Sequence, residues 1–318
     1  MNDDICSLCN EIIYRGALKC ANEKVKRSSL VLSYYPSRVP HPPQITGMKV
    51  NHWLLRCLSP TSKVIFLDTD KIEPKRYHEN IKNPSNVDQS TMNVISNIKG
   101  PGLEEKVGRK TGGGAIINKT ELEIVCIIVK GLITCGLDMN KIGILSPYRS
   151  QVRLLEEDNF LTRAKKGGLE ISTIDRYQGK DKSVILFSLV RSNVQKKSGM
   201  LLNDFRRLNV AVSRAKHKLI MIGSYETLYD GSKEVMRPLL EKIKTKEWIE
   251  SLLPNSLSFY NFNGFSGTKS ENTFCGKDRD LLDCNDPSKK PCFYSVGSKR
   301  KFEISSQEIR DAEQIIGK

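Results

Sequence analysis

Apolar and polar positions follow a regular order over residues 141–224. Residues 169–174 alternate one by one, whereas residues 183–190 and 218–223 are continuous apolar runs, which is typical of strands buried on both faces. The whole segment reads as strand, helix, strand, strand, helix, strand. This order predicts an α/β fold in which a parallel sheet carries helices on both faces.

A short cationic helix is predicted between the last two of these strands. Asn203 and Asp204 offer an N-cap, and Leu208, Val212 and Ala215 recur at the spacing of one apolar helix face. Arginines occupy the other faces. Two interpretations are open: the arginines are solvated, or the helix and the strand after it fix one of them against an anion.

Periodicity also predicts the elements outside this segment. They are helices over residues 1–14, 118–132 and 234–253, and strands over residues 29–33 and 63–68. Asn118 at the N-cap and Glu121 at N3 have the spacing of a capping box. Trp53 begins an apolar patch that we expect to pack on the domain.

Composition divides the chain into a domain and a tail. Residues 75–114 are polar, lysine-rich and contain glycine, which predicts a mobile insertion. Beyond residue 254 the chain is rich in Asn, Ser, Gly and Lys and has no periodicity. We therefore expect one domain over residues 1–254 and a disordered tail over residues 255–318, where residues 299–301 are either a nuclear-localisation candidate or a solvated charge run.

The charge balance points to a polyanionic partner. The 318 residues carry a formal net charge of +15, which favours phosphate contacts and the release of counterions. This balance does not distinguish DNA from RNA. No apolar run is long enough to cross a bilayer and no signal-peptide pattern begins the chain, so we expect an intracellular protein without a membrane partner.

Three segments carry the most specific signal. They read Ile-Leu-Ser-Pro-Tyr-Arg-Ser-Gln over residues 144–151, Thr-Ile-Asp-Arg-Tyr-Gln-Gly-Lys-Asp followed by Val-Arg-Ser-Asn over residues 173–193, and Arg-Arg-Leu-Asn-Val-Ala-Val-Ser-Arg-Ala-Lys over residues 206–216. These segments resemble motifs IV, V and VI of superfamily-1 helicases, in the order of that family. The nearest resemblance is to the eukaryotic DNA replication ATP-dependent helicase/nuclease family, and RNA helicases of the same branch are similar.

The resemblance covers residues 1–225 and implies the second RecA-like motor domain of a P-loop-NTPase-type helicase. In that family Arg214 matches the arginine finger, which acts on ATP bound with Mg²⁺ mainly by the first motor domain. The resemblance implies a nucleotide-facing group in the same cleft: Gln178, Gly179, Asp181, Arg207 and Arg214. Asp181 is expected near the ribose.

The resemblance also implies contacts to single-stranded DNA. The expected strand-facing group is Pro147, Tyr148, Arg149, Thr173, Arg191 and Ser192. Because sites in parallel sheets form at the carboxyl ends of strands, we expect motifs IV, V and VI to meet at that edge. The expected partners are single-stranded DNA, with RNA left open, and the first RecA-like domain.

No P-loop is found in the sequence, because the glycines of residues 108–114 lack the required G-x-x-x-x-G-K-[ST] spacing. Met1 stands where the family has the last residue of Gln-Tyr-Arg-Met, which implies an amino-truncated portion that is inactive by itself. An iron–sulfur cluster is expected only in the nuclease region that this chain lacks.

No metal site is predicted in this chain. Cys6 and Cys9 have ligand spacing, but a closed site needs four ligands and no second pair follows. Asp68 and Asp70 either bind a metal or end a strand in a turn, and the second interpretation is favoured.

Two classes of function remain after these considerations. The chain is either the C-terminal motor half of an ATP-dependent DNA helicase, with an RNA helicase as its close variant, or a non-hydrolysing nucleic-acid-binding module. The expected location is the nucleus, with the mitochondrion and cytoplasm as alternatives.

Overall fold

A computed structural model describes residues 1–40, 52–72, 103–107, 115–177 and 179–260. The strands are β1 (Val64–Asp68), β2 (Glu105–Val107), β3 (Ala115–Ile117), β4 (Ile142–Ser146), β5 (Glu170–Thr173), β6 (Lys182–Ser188), β7 (Ala215–Gly223) and β8 (Ile249–Ser251). Six of them form one sheet in the order β5-β4-β6-β7-β1-β8, and every pair in it is parallel. The predicted parallel α/β sheet is confirmed.

Helices connect these strands. They are α1 (Asp3–Cys9), α2 (Glu23–Lys26), α3 (Trp53–Leu58), α4 (Lys119–Thr134), α5 (Arg149–Glu157), α6 (Asn159–Lys166), α7 (Phe205–Ser213), α8 (Tyr225–Gly231) and α9 (Met236–Thr245). A π-helical turn, Asn10–Tyr14, continues α1, and 3-10 turns cover Met139–Lys141, Asp175–Tyr177, Met200–Asn203 and Ser258–Tyr260. Asp204 caps α7 as predicted, since its carboxylate accepts from the Arg206 N–H over 2.9 Å.

Successive residues of the central strands point into two separate cores, because side chains alternate across a sheet. In β1, Ile65 and Leu67 join the core under α3, α4, α5 and α6, whereas Val64 and Phe66 join the core under α1, α7, α8 and α9. Helices therefore cover both faces. This double burial explains why β6 and β7 are continuous apolar runs in the sequence.

Two predicted elements differ from the structure. Residues 29–33 form no strand. The closing helix ends at Thr245 and not at residue 253, because Glu247 takes a positive φ of 57° and reverses the chain. Ile249 then pairs with Phe66, so the segment adds a sixth parallel strand to the sheet edge. Tertiary strand pairing here outweighs the helical spacing of the apolar residues.

The structure describes part of the predicted insertion and the start of the predicted tail. Within residues 75–114, residues 103–107 are described, and β2 pairs antiparallel with β3. Leu257 and Tyr260 are buried, and the Tyr260 ring meets the Trp53 ring edge to face at 5.4 Å. The packed domain therefore continues past residue 254. Residues 73–102, 108–114 and 261–318, including the basic run 299–301, lie outside the described residues.

Within the described ranges, none of the helices combines the length and the apolar character needed to span a bilayer.

Candidate nucleotide and nucleic-acid site

Part of the predicted nucleotide-facing group lies at the amino-terminal edge of the sheet. Asp181 directly precedes β6 and Arg214 directly precedes β7, and these strands begin as partners at Lys182 and Ala215. The Lys182 N–H donates to the Arg214 carbonyl over 3.0 Å. The expectation that all three motifs meet at the carboxyl ends is therefore wrong for this pair. The reason is that α7, as a crossover helix between parallel strands, runs against them and ends at the opposite edge.

Arg214 is oriented by two structural elements. Its Nη1 lies 3.1 Å from the Asp181 Oδ1, its Nε donates to the Val210 carbonyl over 3.2 Å, and its Nη2 donates to the Ser213 hydroxyl over 3.1 Å. The Arg214 side chain remains 21% exposed and that of Asp181 46% exposed. The guanidinium is thus held in one orientation while part of it stays accessible, as an anion-contacting group requires.

Gly179 leaves open space beside this pair. Its φ is +80°, a left-handed conformation that L side chains rarely adopt, and among the described residues other than its chain neighbours no heavy atom lies within 4 Å of the position that a Cβ would take. The backbone conformation therefore favours glycine here. Gln178 lies outside the described residues.

Arg207 is engaged in a separate ion pair. Its Nε lies 3.0 Å from the Asp175 Oδ1 and 3.9 Å from the Asp204 Oδ2. Arg207 and Arg214 lie two turns apart on the path of α7, or about 10 Å along its axis. The structure thus brings Gly179, Asp181 and Arg214 together and places Arg207 nearer the carboxyl edge.

The predicted strand-facing group lies at the carboxyl-terminal edge of the sheet. Thr173 ends β5, Pro147 follows β4, and Arg191 lies on the loop that follows β6. These strands are neighbours in the order β5-β4-β6, so the three segments are adjacent. Thr173 is buried, with 8% of its surface exposed.

Tyr148 connects two of these segments. It is half-buried, its hydroxyl donates to the Ser198 carbonyl over 3.3 Å, and burial raises the pKa of its phenol even though Arg191 beside it lowers that pKa. Arg149, which begins α5, is exposed. Within this group Arg149 is therefore the cation most accessible to a phosphate.

Arg191 and Ser192 are turned inward. The Glu104 Oε2 accepts hydrogen bonds from the Arg191 Nε over 2.8 Å, the Ser192 N–H over 3.0 Å and the Asn193 Nδ2 over 3.1 Å. The Arg191 and Glu104 side chains are only 12% and 7% exposed, and Ser192 is fully buried. Sequence reasoning missed Glu104 because it lies in a polar segment that was predicted to be mobile.

Glu121 is a second carboxylate that sequence reasoning assigned only to a local cap. Asn118 caps α4 as predicted, with its Oδ1 accepting from the Glu121 N–H over 3.0 Å. The reciprocal half of the capping box is absent, because the Asn118 N–H donates instead to the Gln151 Oε1 over 2.8 Å. The Glu121 carboxylate reaches across to the end of β6. No local sequence signal marks that contact.

Asp68 and Asp70 form a strand-ending turn, as the favoured interpretation predicted. Asp68 accepts from the N–H groups of Asp70 and Tyr225 over 3.1 and 3.2 Å, and Asp70 accepts from the Glu226 N–H over 2.8 Å. Burial and the neighbouring Asp68 raise the pKa of Asp70 to about 6. Their oxygens are thus used to join β1 to the start of α8.

Cys6 and Cys9 are helical core residues. Burial raises the pKa of Cys6 to about 11 and that of Cys9 to about 12, so both are protonated thiols near neutral pH. Across the described part of the chain, no group of three His, Cys, Asp or Glu side chains has an arrangement that could hold a metal ion.

Helices cover both faces of the parallel sheet, an arginine and a glycine turn lie at one edge, and adjacent loops lie at the other. This arrangement defines a RecA-like helicase-type domain. The AAA domain family matches residues 1–226, and the chain belongs to that family.

Named relatives agree with this classification. The chain is 34% identical over 228 residues to "DNA replication ATP-dependent helicase/nuclease DNA2" of Mus musculus, covering 72% of this chain and 18% of the relative. It is 32% identical over 278 residues to the protein of the same name in Saccharomyces cerevisiae, covering 87% and 16%. It is 34% identical over 255 residues to "DNA replication ATP-dependent helicase/nuclease JHS1" of Arabidopsis thaliana, covering 80% and 15%. The predicted resemblance is confirmed, and the chain spans less than a fifth of the length of these relatives.

Proposed function

We propose that this chain is the second, C-terminal motor half of an ATP-dependent DNA helicase, which supplies an arginine finger and contacts to single-stranded DNA. The observation that carries the proposal is the orientation of Arg214 by Asp181, Val210 and Ser213 at an accessible edge of a RecA-like sheet. The names of the relatives, which describe ATP-dependent helicase/nucleases, support it.

Arg214 would act on the γ-phosphate of ATP that is bound mainly by a first motor domain. Its guanidinium can donate two parallel N–H groups to phosphate oxygens as negative charge redistributes in the transition state. Asp181 orients the guanidinium through the 3.1 Å ion pair and thereby limits the freedom that the side chain would lose on closure. Because the finger comes from a separate domain, catalysis would depend on closure of the two domains.

The residues present fit a bound nucleotide. Gly179 and Asp181 lie with Arg214 at the amino-terminal edge and would face the nucleotide. Arg207 pairs with Asp175 nearer the carboxyl edge, so Arg207 and Gln178 are assigned to the cleft by the family resemblance alone. ATP would supply the phosphoryl group, and Mg²⁺ would supply part of the positive charge that neutralises the phosphate oxygens. By the family resemblance, we assign the Mg²⁺ ligands mainly to the first motor domain and any iron–sulfur cluster to the nuclease region of the relatives.

Single-stranded DNA would run along the carboxyl edge of the sheet, over the segments that contain Pro147, Tyr148, Thr173 and Arg191–Ser192. Arg149 is exposed there and offers a cation to a phosphate. The net charge of +15 adds a general attraction to the polyanion. The two proposed ligands thus lie at opposite edges of the sheet, and β6 and α7 connect them.

A second candidate function rests on the carboxyl edge alone, where Arg149 is exposed beside adjacent loops. A non-hydrolysing nucleic-acid-binding module would need only the carboxyl edge. An RNA helicase would use the same two edges. We propose a nuclear location, which the words "DNA replication" in the names of the relatives support.

The test uses the 318-residue chain and a chimera in which residues 1–226 replace the aligned segment of the mouse relative. The chain alone is expected to bind single-stranded DNA with an affinity that falls steeply between two salt concentrations, and to hydrolyse ATP negligibly. The chimera is expected to show ATPase stimulated by single-stranded DNA. Binding without ATPase in a folded chimera would favour the binding module, and stimulation by RNA alone would favour the RNA helicase.

A further inference from the structure

The loop after β6 has a conformation that requires external support. Val190 has a φ of +70°, in the left-handed region that β-branched residues avoid. Such a conformation persists only where surrounding contacts enforce it, and it occurs preferentially at functional sites. The residues that impose it therefore shape the loop that carries Arg191 and Ser192.

Glu121 provides the first set of these contacts. Its carboxylate is fully buried and accepts hydrogen bonds from the Val190 N–H over 2.9 and 3.0 Å and from the Ser188 hydroxyl over 2.6 Å. The Asn118 Nδ2 donates to the Val190 carbonyl over 3.1 Å and to Glu121 over 3.2 Å. Both backbone polar groups of the strained residue are thus held by the start of α4.

The same helix start is joined to the motif IV helix. The Asn118 N–H donates to the Gln151 Oε1 over 2.8 Å, and the Gln151 Nε2 donates back to the Asn118 carbonyl over 3.0 Å. Gln151 is fully buried and lies in the first turn and a half of α5, which begins at Arg149. A continuous chain of hydrogen bonds therefore connects the β6 loop to the segment that presents Arg149.

Glu104 holds the loop from the other side. Glu104 contacts Arg191, Ser192 and Asn193. Along the chain, these residues come directly after the two that Glu121 contacts, Ser188 and Val190. The Glu104 N–H also donates to the Ser192 carbonyl over 3.3 Å. The donors of the loop therefore face two carboxylates of the protein itself, and their role is to set its shape.

We propose that Glu121, assisted by Glu104, is a positioning residue for single-strand binding: it fixes the β6 loop relative to the start of α5, so that both segments meet one strand at a set spacing. This proposal rests on the proposed function. It assigns Arg191 an internal role and makes Arg149 the direct phosphate contact of the pair.

The decisive variant is Glu121→Gln in the full 318-residue chain. Glutamine has the same shape but turns one acceptor into an NH₂ donor, and all the contacts of the carboxylate named above come from donors. The matched control is Glu156→Gln, which removes a carboxylate that pairs with Lys165 on the surface. Each substitution removes at most one negative charge, so charge alone predicts unchanged or tighter binding to DNA. Positioning predicts weaker binding only for Glu121→Gln.

We expect the affinity for a fluorescent oligothymidine to fall about tenfold, the lower end of the loss seen when a buried partner that orients a metal ligand is replaced. Hydrogen exchange should accelerate at residues 188–193 and at Asn118, while β4 and β7 keep their protection. Unchanged affinity with faster exchange in the loop would refute the proposal, and so would acceleration spread over the whole sheet with a lowered Tm.

Glu104→Gln provides a second route if Glu121→Gln does not fold, because Glu104 contacts the loop without lying in the centre of the domain. The same loss of affinity with local acceleration at residues 191–193 is expected, and normal affinity would overturn the proposal. If the unsubstituted chain fails to bind the oligonucleotide, the proposed function fails. The exchange measurement then still decides whether the carboxylates fix the loop.

Discussion

The substitution Arg214→Lys separates catalysis from stability at the proposed finger. Lysine keeps the positive charge and can still pair with Asp181, but it lacks the planar fork that contacts two phosphate oxygens. In the chimera with a first motor domain, we expect turnover of ATP to fall about a thousandfold, the scale of an arginine finger. By the rate equation this corresponds to about 4 kcal/mol of lost transition-state stabilisation.

The structure predicts a much smaller effect of the same change on folding. The Arg214 and Asp181 side chains are 21% and 46% exposed, and ion pairs of that exposure contribute about 1 kcal/mol or less. The lost hydrogen bonds to Val210 and Ser213 are at the end of α7, where water can replace them. The Tm of the 318-residue chain should therefore change by only a few degrees.

The assay combines steady-state ATPase with DNA, nucleotide affinity and thermal melting for the variant and a control. The control is Arg206→Lys, an exposed arginine on the same helix that stacks over Phe205 at 5.5 Å. Arg206→Lys should leave turnover nearly unchanged. Normal turnover in Arg214→Lys would refute the finger assignment, and equal losses in both variants would show that general charge on α7 is responsible.

Two further predictions concern the core around the site. Lys218 is fully buried, and burial lowers its pKa to about 7, so between pH 7 and the usual lysine pKa of 10.5 the native state binds fewer protons than the unfolded chain. The free energy of unfolding should therefore rise with pH over that window, by at most about 1.4 kcal/mol per pH unit. Lys218→Met should remove this slope in urea titrations at about pH 7 and 9. Parallel pH profiles of the two proteins would contradict the assignment. In Gly143→Ala the new Cβ would lie 2.4 Å from the buried Tyr177 hydroxyl and 2.8 Å from the Ile185 Cδ1, so we expect a loss of about 1–3 kcal/mol in the same titrations. Gly167→Ala, whose nearest obstacle is the flexible Met139 side chain, is the control, and an equal loss there would contradict this reasoning.

Separation of the two proposed ligand sites has a structural consequence. The guanidinium of Arg214 lies where β7 begins, and the β6 loop that we propose to face single-stranded DNA lies where β6 ends. These points are separated by the length of β6, or about 20 Å for its residues. A link between ATP hydrolysis and movement of the DNA strand would therefore pass through β6, which is buried from Val184 to Ser188, and through α7 beside it.

The sequence by itself determined the parallel sheet, because strands that are buried on both faces must be continuous apolar runs. It also determined where α4 and α7 begin, because their N-caps, Asn118 and Asp204, act through contacts within three residues. The family resemblance also came from short segments, motifs IV, V and VI, in which turns and helix faces restrict the residue types.

Only the tertiary structure decided which of these segments meet. It placed Arg214 and Asp181 at the amino-terminal edge, because a crossover helix returns the chain to the start of the next strand. It also brought two distant carboxylates to the β6 loop: Glu104 contacts Arg191, which is 87 residues away in the sequence, and Glu121 contacts Val190, which is 69 residues away. Contacts at such separations leave no periodic trace, since each depends on how whole elements pack and on the cost of leaving a buried polar group without a partner.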